Sequence, residues 1–229
     1  MTAAELPIGE RKAQAVEEMF DRIAPRYDLV NRLMTLGLDA GWRRRAVHAL
    51  HLDPGACVVD LGCGTGDLCR ELERAGHVAV GVDVAAGMLA RAHTSAPLVR
   101  ADALHLPLRD ASIDGAISGF ALRNVVDIQD CFREAARVIR PGGRAVFLEV
   151  SEPNSMVLRR LHAVYFRKVV PMIGGLISDR RAYRYLPAST AYLPPAPELV
   201  RLLGDAGFAR CHRVQLGAGA AQLLIGTRR

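Results

Sequence analysis

The sequence predicts an α/β fold: a doubly wound, mostly parallel sheet, preceded by a helical N-terminal lid and closed by a C-terminal antiparallel hairpin. Three observations predict it. Apolar runs of strand length alternate with helical stretches five times before residue 155, the pattern of βαβ crossovers around strands buried on both faces. The first run, Cys57–Leu61, passes straight into Gly62-Cys63-Gly64-Thr65-Gly66. Glycines there let the backbone turn sharply and approach a ligand, because no Cβ intervenes. The second run, 78–82, ends in Asp83, about 20 residues past the first glycine, where an acid in nucleotide-binding βαβ units takes ribose hydroxyls.

Taken in order, 10–23 carries Val16, Met19, Phe20 and Ile23 at helical spacing until Pro25 stops it. A short helical piece reaches Leu36, Gly37 breaks it, and Asp39 is expected to cap a third helix through Trp42 and Val47. This leader precedes the first strand and is expected to lie across the ligand cleft. After Asp83 a helix is expected over 86–93, then a strand over 98–101 ending at Asp102-Ala103. Asp102 either accepts a hydrogen bond from an adenine amine or caps the following turn. A strand over 113–118 runs into Gly119-Phe120-Ala121-Leu122-Arg123-Asn124, and Asp127 opens a helix over 128–139 that Pro141-Gly142-Gly143 ends. The fifth strand, 145–150, finishes at Glu149-Val150. Segments 209–216 and 221–227, with Gly217 and Gly219 between them, read as the closing hairpin.

Residues 154–197 interrupt the alternation. Leu158, Leu161, Tyr165 and Val169 form a helical stripe flanked by Arg159, Arg160, Arg167 and Lys168, followed by Arg180-Arg181 and Tyr183-Arg184-Tyr185-Leu186. The segment reads as substrate-recognising, with peripheral membrane contact through 156–185 as one expectation and a solvated charged face as the other. The whole is expected to be one domain, 1–229. It divides into a helical lid (1–50), a cofactor-binding core (51–153), the insertion (154–197), and a closing helix and hairpin (198–229).

A chain of 229 residues, half of them hydrophobic, can bury a sizeable core in one domain. Five scattered cysteines argue for a reducing compartment and against a disulfide framework or metal site. No stretch approaches the ~20 apolar residues of a membrane span, so a soluble, cytoplasmic protein is expected. The net charge of +6 permits nucleic-acid binding, but no recognition motif accompanies it, and none is expected. The alternate glycine spacing differs from the Gly-x-Gly-x-x-Gly that cradles a dinucleotide pyrophosphate. A ligand with adenosine but no phosphate fits better, and S-adenosyl-L-methionine is such a ligand.

Several stretches together resemble the quinone-ring C-methyltransferases of ubiquinone and menaquinone biosynthesis, within the Rossmann-like class I methyltransferases. They are Arg26-Tyr27-Asp28-x-x-Asn31 with Gly37 and Trp42-Arg43, Gly62 through Leu68, Gly87-Met88-Leu89, and Gly119 through Asn124. Arg140 through Arg144 with Leu148-Glu149, Tyr183-x-Tyr185-Leu186-x-x-Ser189 and Ala206-Gly207-Phe208 complete the set. The likeness covers nearly the whole chain. It departs where Ala121 replaces a glycine, Val126 replaces a threonine, the stretch between Met88 and Asp102 is short, and the tail lacks a histidine.

The resemblance implies that Thr65, Asp83, Asp102 and Ala103 line the S-adenosyl-L-methionine site; Asp60, Gly62, Gly64, Gly66, Met88 and Gly119 complete the candidate set. It further implies C-methylation of a prenylated quinol, demethylmenaquinol to menaquinol, with the arginine-rich, lysine-poor composition favouring the naphthoquinol over a benzoquinol. Arg123 is expected to stabilise the oxyanion, Tyr27 and Asn124 to position the ring, and Glu149 to accept a proton. Asn31, Tyr165 and Tyr185 are the further substrate candidates. For Arg123 the competing expectation is an ion pair with Asp127 or Glu149; for Tyr27 it is a core tyrosine with a satisfied hydroxyl. Another phenolic or polyketide acceptor, or a non-catalytic cofactor-binding module, remains the alternative, and a homodimer is left open.

Overall fold

The computed structural model describes residues 7–165, 172, 185 and 188–229. Three helices lead in: α1 (Gly9–Ile23), α2 (Tyr27–Met34) and α3 (Leu38–His48). The alternation follows as β1 (Cys57–Leu61), α4 (Asp67–Arg74), β2 (Val78–Asp83), α5 (Ala86–Leu89), β3 (Leu98–Arg100), β4 (Ile113–Gly119), α6 (Ile128–Val138) and β5 (Ile139–Val150). Then come α7 (Met156–Val164), α8 (Ala196–Asp205), β6 (Phe208–Leu216) and β7 (Ala221–Arg228).

These strands form one sheet in the order β3-β2-β1-β4-β5-β7-β6. β1 to β5 pair in parallel, and β7 runs antiparallel to both β5 and β6. From β1 the chain winds outward to β3, then returns to place β4 on the other side of β1. The carboxyl ends of β1 and β4 therefore face a crevice where the winding reverses, the ligand position of open α/β sheets.

Strand alternation sorts the core onto the two sheet faces. Val59, Ala116 and Phe147 pack with Phe132 of α6 and Leu199 and Leu203 of α8. Val58, Ile117, Val146 and Leu148 pack with Leu50 after α3 and Leu68, Cys69 and Leu72 of α4. Phe132 meets Phe147 edge-on at 4.7 Å, and each such fully buried side chain contributes about 1.5–3 kcal/mol. All five cysteines are free thiols, three of them buried.

Four local expectations are corrected. The helix after Asp83 stops at Leu89 rather than His93, because the chain turns so that the His93 N–H donates to Thr65 O at 3.0 Å. Asp39 does not cap α3. Gly37 does, at φ +75°, a conformation glycine takes without steric cost. Asp39 lies in the first turn, where Thr35 and Arg43 donate to its carboxylate. β3 ends at Arg100, one residue early. β5 starts at Ile139, directly after α6: Ile139 pairs with Ile113, and residues 140–143 bulge out before Arg144 pairs with Gly115. Of the insertion, Leu158, Tyr165 and Tyr185 are described, while Arg167, Lys168, Val169, Arg180, Arg181, Tyr183, Arg184 and Leu186 lie outside the described residues.

Candidate active site: two cavities with a shared wall

The glycine loop leaves β1 at the switch point. Gly62 (φ +70°) and Cys63 donate their N–H groups to Val82 O at 2.8 and 3.0 Å, tying the loop to β2. A Cβ on Gly62 would stand 2.5 Å from the Ala121 Cβ, so only glycine fits between the loop and the segment after β4. Gly64 N–H and Ala85 N–H each donate to one oxygen of Asp83 at 2.8 Å. That fixes the carboxylate at the crevice. Burial pushes its pKa up, against the pull of those two N–H groups.

Above this floor α1 forms a roof. Asp21 accepts from Gly87 N–H at 2.7 Å, Arg100 pairs with Glu17 at 2.6 Å, and Lys12 donates to Val125 O at 2.5 Å. The Lys12 ammonium also sits 3.7 Å over the Tyr192 ring, a cation–π contact. The cavity between floor and roof is ≈ 240 Å³, with Ala13, Val16, Glu17 and Phe20 of α1 opposite Gly62, Gly64, Asp83, Met88, Asp102, Ala103 and Gly119. The N-terminal lid expected from the sequence thus lies across the cleft. Asp102 lines the cavity and also accepts Leu104 N–H at 3.0 Å, so it caps the turn while facing the space.

Three candidates for this site lie outside it. Thr65 turns away and donates to Asp28 at 2.6 Å, and Gly66 packs against Thr94. Asp60 points into the helix layer beneath, because strand alternation directs it there. The Cys69 thiol donates to one of its oxygens at 3.5 Å, and the other has no partner among the described residues. Burial pushes the Asp60 pKa up to about 7. The sign follows: the fold holds a proton that the unfolded chain releases above 3.8, so Asp60 destabilises increasingly as pH rises to about 7. Asp60→Asn should therefore raise Tm at about pH 8, by the equivalent of about 1–3 kcal/mol, and gain much less at about pH 5. Thermal melts at the two pH values check this.

A second cavity, ≈ 190 Å³, opens on the far side of a shared wall. Phe20, Tyr27, Phe120 and Asn124 line both spaces. Phe120 holds φ +60°, its N–H donating to Leu148 O at 2.7 Å. This conformation costs an L-residue on the order of 1 kcal/mol, and it aims the ring between the cavities. Asn31, Tyr165 and Tyr185 line the second cavity, as do Trp42 and Arg43. Tyr165 donates to Met34 O at 2.8 Å and Tyr185 to Asn124 Oδ1 at 3.4 Å. The phenols of Tyr27 and Tyr185 are pushed up by burial, so both stay protonated and able to donate.

Arg123 also lines the second cavity. Its guanidinium donates to Phe120 O at 2.7 Å and pairs with Glu149 at 2.5 Å. The competing expectation of an ion pair with Glu149 is thus realised, alongside a cavity-facing position. Glu149, the expected proton acceptor, lies off both cavities. It is fully buried and accepts from Arg123 N–H, Val150 N–H and the guanidinium. The three-residue turn Leu122–Asn124 folds over the end of β5 and shuts Glu149 off from the crevice.

Sequence reasoning missed a second charged group on this cavity. Arg43 lines it, paired with Asp39 and, at 3.1 Å, with Asp67. Burial works against the Arg43 charge, but the two carboxylates outweigh it and hold the guanidinium pKa up. Burial likewise works against Asp39, yet Thr35 and Arg43 hold its pKa down. The i, i+4 spacing of Asp39 and Arg43 was a visible signal for their pairing; the left-handed Phe120 had none.

The first cavity has the chemistry of S-adenosyl-L-methionine. Among the described residues no lysine or arginine lines it, which disfavours a phosphate, while Glu17, Asp83 and Asp102 supply carboxylates for a cationic, hydroxyl-bearing ligand. Met88, Val84, Ala103 and Cys131 give the cavity an apolar lining suited to a base.

Comparison with known proteins agrees. The ubiE/COQ5 methyltransferase family profile matches residues 8–228. A demethylmenaquinone methyltransferase of Roseiflexus castenholzii is 43% identical over 98% of this chain and 98% of its own. A ubiquinone/menaquinone biosynthesis C-methyltransferase of Syntrophotalea carbinolica is 40% identical over 95% and 96%. Among solved structures, a SAM-dependent methyltransferase of Thermotoga maritima superposes with TM-score 0.67 at 22% identity, over 93% of this chain and all of that one. The phosphoethanolamine N-methyltransferase 2 of Haemonchus contortus, in complex with S-adenosyl-L-methionine, superposes with TM-score 0.60 at 13% identity, over 81% and 52%.

Proposed function

Because the chain belongs to the ubiE/COQ5 methyltransferase family and is an S-adenosyl-L-methionine-dependent methyltransferase, we propose that it C-methylates a prenylated naphthoquinol, converting demethylmenaquinol to menaquinol. The single observation that carries this reading is the shared wall: a carboxylate-bearing cavity and an aromatic, arginine-bearing cavity meet at Tyr27, Phe120 and Asn124. A flat ring in the second cavity can there face a methyl donor in the first.

When bound, the cofactor supplies an electrophilic methyl group on a sulfonium. The chain's own residues do the rest. Tyr27, protonated and partly buried, and Asn124 hold the quinol with a face of its ring turned to the wall, and this orientation supplies much of the rate. Arg123 stabilises negative charge on the ring oxygen, which makes the adjacent carbon nucleophilic. Glu149 is a positioning residue, since its fixed carboxylate holds the guanidinium facing the cavity. Methyl transfer to the ring carbon would break the carbon–sulfur bond of the bound donor, and the ring carbon would then pass its proton to a water to restore the aromatic quinol. Arg123 is a poor base itself, so its part in that loss is to orient a water.

The charged groups Arg43 and Asp39 sit on the same cavity as Arg123 and suit the second oxygen of a 1,4-quinol. The experiment compares kcat/KM for reduced naphthoquinol and benzoquinol acceptors of equal tail length. A preference for the naphthoquinol is expected, and a preference for the benzoquinol would reassign the substrate.

A further inference from the structure

α2 is apolar on two sides. Val30 and Met34 face inward with Tyr27, whereas Leu29, Leu33 and, just past its end, Leu36 are 55, 41 and 78% exposed. Leu29 and Leu33, at i and i+4, form a stripe on one face of α2, and Leu36 follows in the turn beyond the helix. Leu36 and the 55%-exposed Leu38 also line the second cavity, so the stripe continues into its mouth. Leu36 holds φ +53°, where asparagine or glycine would sit with less strain; an exposed leucine there gives the fold nothing in return.

The charges are segregated around the stripe. The acid of α2, Asp28, accepts from Thr65, and the acid of α3, Asp39, is buried against Arg43. Arg32 on α2 and Arg44 and Arg45 on α3 are exposed, with Arg45 two turns beyond Leu38 on the same side of the helix. Leucines edged by arginines, with both acids turned inward, match an anionic lipid surface. Among the described residues no helix is long and apolar enough to cross a membrane.

We propose that the stripe Leu29, Leu33, Leu36 and Leu38 docks this protein on the face of an anionic lipid bilayer, with the mouth of the second cavity turned toward the lipid. This deepens the reading above, and rests on it for why a bilayer is the partner. A quinol whose tail stays among lipid chains can then pass its ring over Leu36 and Leu38 into the cavity. The surface lies on the lid; the insertion, where sequence reading expected membrane contact, also exposes Met156, Val157 and Leu158.

The test is sedimentation of the full chain with vesicles of phosphatidylcholine and phosphatidylglycerol, for the native protein, Leu29→Gln/Leu33→Gln and Leu36→Asn. The double variant changes exposed residues that line neither cavity. It should lose vesicle binding by on the order of tenfold and methylate a tail-less soluble naphthoquinol at the native rate. Its rate on a prenylated quinol embedded in vesicles should fall with its binding. Leu36→Asn should also bind vesicles more weakly without a fall in Tm, since asparagine tolerates its backbone. Native-like vesicle binding by the double variant would overturn the proposal. So would a native dimer that the double variant dissociates, with no vesicle binding by either; the stripe would then belong to a second copy. Sedimentation needs no catalysis, so failure to methylate any quinol would overturn the substrate reading and leave the docking surface to be judged separately.

Discussion

Arg123→Ala is expected to lower kcat for quinol methylation by about 10²–10³-fold, while the dissociation constant for S-adenosyl-L-methionine stays near its native value. The split follows from where the guanidinium lies: it lines the second cavity and not the first. Single-turnover rates with saturating cofactor, beside a direct binding titration, read the two quantities apart. The substitution also strips the counter-charge from Glu149, which is 0% exposed, so the variant should melt earlier. Arg123→Met/Glu149→Leu removes both charges and replaces them with apolar volume, a change that is often neutral or stabilising. Stability should return in part, since the Arg123 and Val150 N–H groups still lose their acceptor, and the rate should not return. A double variant that recovers the native rate would mean that the arginine only served the fold.

Glu149→Ala is expected to have the largest effect on stability, a loss of about 3–5 kcal/mol, because it leaves a buried guanidinium without its carboxylate. Denaturant unfolding measures this. Three donors converge on that carboxylate, the Arg123 and Val150 N–H groups and the Arg123 guanidinium, and all three lose their acceptor. Glu149→Gln is the informative companion. It keeps an acceptor for the guanidinium, so a positioning role predicts a reduced kcat with a pH–rate profile of unchanged shape. If Glu149 took the proton directly, the glutamine variant would instead lose the acid limb of that profile.

The same strand shows which parts of the molecule were legible in the sequence. β1, β2 and β4 could be read because a parallel strand buried on both faces is a continuous apolar run, a local property of a few residues. The acid at the end of β2 was legible for the same reason. Glu149 was not. Its place at a strand end suggested exposure to the crevice, but the turn Leu122–Asn124, 26 residues away in the chain, folds across it. Asp60 lies off the cavity for a comparable reason, since strand alternation sends it into the layer beneath the glycine loop. Tyr27, Asn31, Asn124, Tyr165 and Tyr185 meet on one cavity although α2, the turn after β4 and the insertion contribute them separately. Spacing could not have brought them together; for Tyr27, Asn31, Asn124 and Tyr185 the motifs they belong to did. The left-handed Phe120 that divides the cavities left no trace in composition or periodicity, because leucine and phenylalanine at positive φ are set by tertiary contacts and not by propensity.

In the proposed reaction a methyl donor in the first cavity meets a quinol ring in the second across Tyr27 and Phe120. That reaction is tested most directly by incubating the protein with methyl-labelled S-adenosyl-L-methionine and a reduced demethylmenaquinone analogue, and locating the label in the product. Label on the ring carbon beside a hydroxyl is expected. Tight cofactor binding with no carbon-methylated quinol, or with the label on a ring oxygen, would contradict it.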